Sequence, residues 1–184
     1  MRFLAITGVL AIAAALGGLI YFLGGNYSVA AARPNFSIVS WAIGAIRDSS
    51  VNKHADAIPV RAPNDMATVR AGARAFAQDG CANCHGGPGI GPAKFAEAMR
   101  PRPPDLKAAG EKHDAARLFW IIKNGVTLTG MPAYGALRKD EQELWSLVAF
   151  VRNLRWISAA DYATWTAPDT PAAEKPPGKP AAKP

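Results

Sequence analysis

Residues 79–92 read DGCANCHGGPGIGP and contain both cysteines of the 184-residue chain. Cys81, Cys84 and His85 have the C-x-x-C-H spacing of covalent haem c attachment. In one turn of helix Cys81 and Cys84 share a face, and His85 follows at i+4 from Cys81. A single short segment then offers two thiols for thioether bonds to the haem vinyl groups and an imidazole as proximal iron ligand. A redox C-x-x-C needs a thioredoxin-like βαβ context, which the sequence lacks. A zinc site needs four ligands at characteristic spacings, and there is no second cysteine pair. Two cysteines this close in sequence also cannot staple a small disulfide fold.

Outward from this segment the helical signals are regular. Upstream, Asn64 and Asp65 are good N-cap residues for a helix through Val69, Gly72, Ala73 and Phe76 that stops at Gly80. Downstream, Asp114 opens a helix through Leu118, Phe119, Ile121 and Ile122 that ends at Gly125. The most periodic stretch follows Asp140 and Glu143, a capping-box-like pair, with Leu144, Leu147, Val148, Val151 and Leu154 spaced as one helix face. A short fourth helix is expected from Ser158 to Trp165. No stretch alternates as a half-buried strand does, so the expected fold class is all-α, with the globular domain at residues 65–166.

The flanks are unlike this domain. Phe3 to Ala32 carries no charge, and Phe3 to Gly25 is nearly all apolar, enough at helical rise to cross a bilayer. Residues 1–32 are read as a transmembrane anchor. A cleavable signal segment is the alternative, since Arg2 gives a basic start and Ala30, Ala31 and Ala32 are small, but a signal's apolar stretch normally runs only ~7–15 residues. Residues 33–64 are read as a juxtamembrane helix and linker. Phe36, Ile38, Val39, Trp41, Ile43 and Ile46 suit a short helix over residues 34–47, in the headgroup layer or packed on the next domain, and the polar stretch from Asp48 to Pro63 reads as linker. Residues 167–184, rich in Pro, Ala and Lys, lack the apolar bulk to order themselves and are expected to be a disordered tail. The net charge of +7 is shared among these segments with no concentrated basic patch, so nucleic acid drops out as a partner.

Residues 81–92, together with Lys123-Asn124-Gly125 and the run Thr129-Gly130-Met131-Pro132-Ala133-Tyr134-Gly135, resemble a class I cytochrome c over residues 65–166. The apolar start and the Trp41 region further resemble membrane-anchored mono-haem members of that family in Gram-negative bacteria. The resemblance implies a class I haem domain holding one covalent haem c, with His85 as proximal ligand and Met131 as the sixth iron ligand. Glycines around Met131 suit the close approach of a loop to the distal face. A bis-histidine site using His113 or His54 is the competing arrangement, and Met99 reads as a core or gap-filling residue. The resemblance also assigns the ring N–H of His85 to the carbonyl of Pro92, with Pro88 as competitor. Gly72 and Phe76 match the family's contact with the last helix, here at Leu144, Trp145 and Val148. Arg100, Arg102 and Lys123 are candidate partners for the haem propionates, each equally readable as part of a solvated basic face. Because such cytochromes mature on the exported side, the implied location is the bacterial inner membrane, single-pass, with the haem domain in the periplasm.

A Met/His ligand pair raises the reduction potential and leaves no open coordination position. The sequence also shows no nucleophile–base constellation. The expected function is therefore that of a membrane-tethered mono-haem electron carrier, not an enzyme, between a dehydrogenase or quinol-oxidising donor and a terminal oxidase or other acceptor. A fixed haem c subunit of a larger membrane dehydrogenase or respiratory complex is the first alternative. A haem sensor or peroxidase-like protein, in which Met131 leaves the iron, is the second.

Overall fold

The structure, a computed structural model, describes residues 2–32, 37–61, 64–137 and 140–168. The apolar start forms α1 (Arg2–Leu23), a helix without a buried residue that is long and apolar enough to cross a membrane. Phe3, Leu10, Ile20 and Phe22 all stand more than half exposed on it, an arrangement that lipid tolerates and water does not.

Helix α2 (Ser37–Ala55) runs further than the sequence pattern suggests. The polar stretch that begins at Asp48 continues the helix for two more turns, because Val51 and Ala55 lie one turn apart on a face that packs against the domain and are 4% and 1% exposed. The tail expected at residues 167–184 lies, beyond Pro168, outside the described residues, as does Phe36.

The domain itself consists of α3 (Met66–Gln78), α4 (Cys81–His85), α5 (Lys94–Ala98), α6 (Leu106–Lys112), α7 (Ala115–Asn124), α8 (Tyr134–Leu137), α9 (Glu141–Asn153), a 3-10 turn over Leu154–Trp156 and α10 (Ala159–Thr166). Among the described residues there is no strand, only an isolated bridge between Gly87 and Ile90. The expected helices carry the expected caps. Asp65, Asp114, Asp140 and Ser158 each accept a hydrogen bond from an N–H of the first turn that has no partner within the helix.

The core is centred on the crossing of α3 and α9. Val69, Ala73 and Phe76 meet Leu144, Val148 and Phe150, all six at most 1% exposed. The crossing is close because Gly72 lacks a side chain: a Cβ there would lie 1.9 Å from the carbonyl oxygen of Ser146 and 2.9 Å from Phe150 Cβ. The rings of Phe76 and Phe150 meet at 5.0 Å, and Tyr162 of α10 stacks on Phe150 at 5.7 Å. The close partners of Gly72 are thus Ser146 and Phe150. Trp145, expected at this crossing, turns to α7 and stacks on Phe119 at 4.1 Å.

Candidate functional site

The attachment segment folds as the single helical turn α4, bracketed by two glycines in the left-handed region, Gly80 at φ 71° and Gly86 at φ 70°. A Cβ on Gly86 would also stand 2.8 Å from the carbonyl oxygen of Ile90, so this turn requires glycine on both counts. Cys81 and Cys84 are half-buried and not joined in a disulfide. Both, with His85, border a cleft of about 630 Å³ whose walls include Leu118, Ile121, Ile122, Val126, Leu147 and Val151.

His85 Nδ1 lies 2.9 Å from the carbonyl oxygen of Pro104. A carbonyl can only accept, so Nδ1 carries the proton and Nε2 keeps its lone pair for a metal. The acceptor is therefore the carbonyl of Pro104 and not that of Pro92. Pro92 is exposed and packs instead near Gly86, where its ring would touch an added Cβ. The chain from Pro92 to Pro104 includes α5 and returns to the cleft at Pro101, Arg102, Pro103 and Pro104. Pro88, the other expected acceptor, is buried away from this contact.

Met131 borders the same cleft, on a loop fastened at both of its own backbone groups. Its N–H donates to Thr129 Oγ1 at 3.0 Å, and its carbonyl accepts from Val126 N at 3.3 Å. Thr129 Oγ1 in turn donates to the Val126 carbonyl at 2.7 Å. Gly125, the cap of α7 at φ 66°, lets the loop close, since a Cβ there would lie 2.7 Å from the Met131 carbonyl oxygen. Met99 reaches the cleft as well, with its methyl where a Cβ on Gly130 would be, so a second thioether lies beside the Met131 loop.

Tyr134, which follows Met131 closely in the quoted run, is a cleft residue that motif reasoning passed over. It is 8% exposed, its hydroxyl donates to the Asp79 carbonyl at 3.3 Å, and Cys81 Sγ lies 3.7 Å from it. Burial, and next the neighbouring Cys81, push its phenol well above the ordinary tyrosine value. It ties the attachment turn to the loop of the expected sixth ligand.

The remaining candidates separate. Arg102 borders the cleft, whereas Lys123 is ion-paired with Glu141 and Arg100 donates to the carbonyls of Glu97 and Met99. His54 turns away from the cleft, its Nδ1 2.7 Å from the Ser50 carbonyl and its ring stacked on Trp120. His113 caps α6 at the cleft edge, where burial, then the Lys112 charge, lower its pKa against an opposing pull from Asp48.

These residues fit a haem c. Two thiols three positions apart and not joined in a disulfide, an imidazole with Nε2 available, a thioether on a braced loop and apolar walls all converge on one cleft. Residues 67–151, a little under half of the chain, match the family model described as cytochrome c oxidase, cbb3-type, subunit III. That segment runs from α3 into α9 and includes Cys81, Cys84, His85 and Met131, leaving α1, α2 and α10 outside. No curated protein and no solved structure matches the chain. The chain is an all-α protein that carries a single covalently bound haem c and is distantly similar to a subunit of cbb3-type cytochrome oxidase.

Proposed function

We propose that this chain is a haem c subunit of a membrane-bound respiratory complex. It is held in the bacterial inner membrane by α1, with the haem domain on the periplasmic side, and relays single electrons without catalysing a reaction of its own. One observation carries this reading: the Cys81–His85 turn and Met131 meet on one apolar cleft inside the segment similar to an oxidase subunit. Haem c supplies one-electron redox chemistry when bound.

The chain's own residues set how that chemistry runs. Cys81 and Cys84 would hold the ring through thioether bonds, and His85 and Met131 would ligate its iron. The Pro104 carbonyl orients the imidazole and strengthens Nε2 as a donor. Apolar walls keep water out and disfavour the extra positive charge of the ferric state, which raises the potential. The hydrogen bonds at both backbone groups of Met131 hold its loop in place and would restrain the thioether from leaving a bound haem, which favours electron transfer over ligand sensing.

Membership in a complex is favoured over a solitary tethered carrier by the family similarity and by α2, which packs against α7 instead of leaving a long free leash. Extraction of native membranes in mild detergent, followed by affinity purification on this chain, tests the reading. Other redox subunits are expected in stoichiometric amount. Recovery of the chain alone would overturn the complex and leave the tethered carrier.

A further inference from the structure

Helix α2 lies outside the segment similar to the oxidase subunit, yet Arg47, Asp48, Val51 and Asn52 border the same cleft as Cys84 and His85. Its seat on α7 is built from three kinds of contact. Val51 and Ala55 are buried. Asn52 Oδ1 accepts from Arg117 Nε at 2.7 Å, and Arg117, itself at the cleft, is ion-paired with Asp114, the cap of α7. The ring of His54 lies on Trp120 with centroids 5.6 Å apart and 25° between the planes. Helix α7 is also the helix that walls the cleft with Leu118, Ile121 and Ile122. The first half of α2 makes no such seat: Ile38, Trp41 and Ile46 are about seven-tenths exposed.

We propose that residues 47–55 of α2 belong to the haem site. They form a strap that closes one side of the cleft against water. The inference rests on the haem reading above and adds a residue set that the family similarity does not contain. With the strap seated, the cleft wall at Val51 is dry. With it released, water reaches that side, the ferric state is better solvated and the potential falls. Because the seat is made by contact with α7, it does not depend on the length of the connection between Ala55 and α3.

The full-length protein in detergent tests this with hydrogen–deuterium exchange and spectroelectrochemistry. Ala55→Asp places a carboxylate at a position 1% exposed and should release the strap while leaving α3 to α10 folded. In the native protein residues 47–55 are expected to exchange slowly. In Ala55→Asp they should exchange about tenfold faster, with α3 unchanged, while the potential shifts downward. Asn52→Ala, which removes one hydrogen bond only, should give the same changes to a smaller extent. Native residues 47–55 exchanging as fast as exposed loops would overturn the proposal. So would an unchanged potential in a variant whose exchange shows the strap released. A chain without covalent haem by intact mass would instead refute the haem reading, and the exchange pattern would still report on the seat.

Discussion

Replacing Gly72 with alanine tests how the domain is held together. The new Cβ would stand 1.9 Å from the Ser146 carbonyl oxygen, 2.6 Å from its carbon and 2.9 Å from Phe150 Cβ. Non-bonded heavy atoms settle roughly 3.5 Å apart, so α3 and α9 must part by roughly 1.5 Å at their crossing. Val69, Phe76, Val148 and Phe150, which are fully buried there, lose contact together, since a gap of ~0.5–1 Å already forfeits a quarter to a half of each attraction. Overpacking a core costs about 1–3 kcal/mol, and the upper end applies because the obstacle is backbone and cannot rotate away. Alanine returns ~0.5–1 kcal/mol of helix propensity. The net loss is about 2 kcal/mol, or a fall of ~8–16 °C in midpoint for a domain of this size. Thermal unfolding of the full-length protein, followed by far-UV circular dichroism, measures it. Gly44→Ala in α2, where a Cβ meets nothing within 4 Å, is the matched control and should hold or slightly raise the midpoint. A Gly72→Ala midpoint equal to or above the native one would refute the close crossing at that residue.

Met131→Ala should abolish the ferric methionine charge-transfer band and let added cyanide bind readily, whereas Met99→Leu should preserve the band. The reverse result would assign the ligand to Met99. Burial raises the phenols of both Tyr134 and Tyr162, so the folded chain keeps these protons beyond the unfolded value of about 10. Their contribution is full below pH ~10 and is lost as pH rises above it. The unfolding midpoint should fall between pH 9 and pH 11, and fall less in the Tyr134→Phe/Tyr162→Phe double variant; equal slopes for both proteins would contradict this. If α1 is an anchor, the mature protein sediments with membranes and keeps that segment, while a soluble form with a new amino terminus near residue 33 would show a cleaved signal.

What was legible in the sequence was whatever local chemistry alone decides. The C-x-x-C-H turn is fixed by spacing, α3, α7 and α9 announce themselves through cap residues and a wide apolar face, and α10 through its Ser158 cap. The short helices α5, α6 and α8 span too few residues to show a period and are held by tertiary contacts. The second half of α2 buries only Val51 and Ala55 among polar neighbours, so composition marks it as linker while two residues at i and i+4 dock it. The acceptor for His85 escapes the sequence for a related reason. Pro92 sits at the familiar distance after the motif, but α5 is interposed before the chain returns, and the carbonyl that arrives is that of Pro104. Met99 was unreadable as a cleft residue because only the missing side chain of Gly130 makes room for it.

The measurement that bears most directly on the central claim is the intact mass of the protein extracted from its own membranes, read with its pyridine haemochrome spectrum. The predicted result is one haem per chain, retained through acid–acetone extraction, with the c-type spectrum of two thioether links and with both attachments lost in Cys81→Ala/Cys84→Ala. An unmodified chain with two titratable thiols would contradict it.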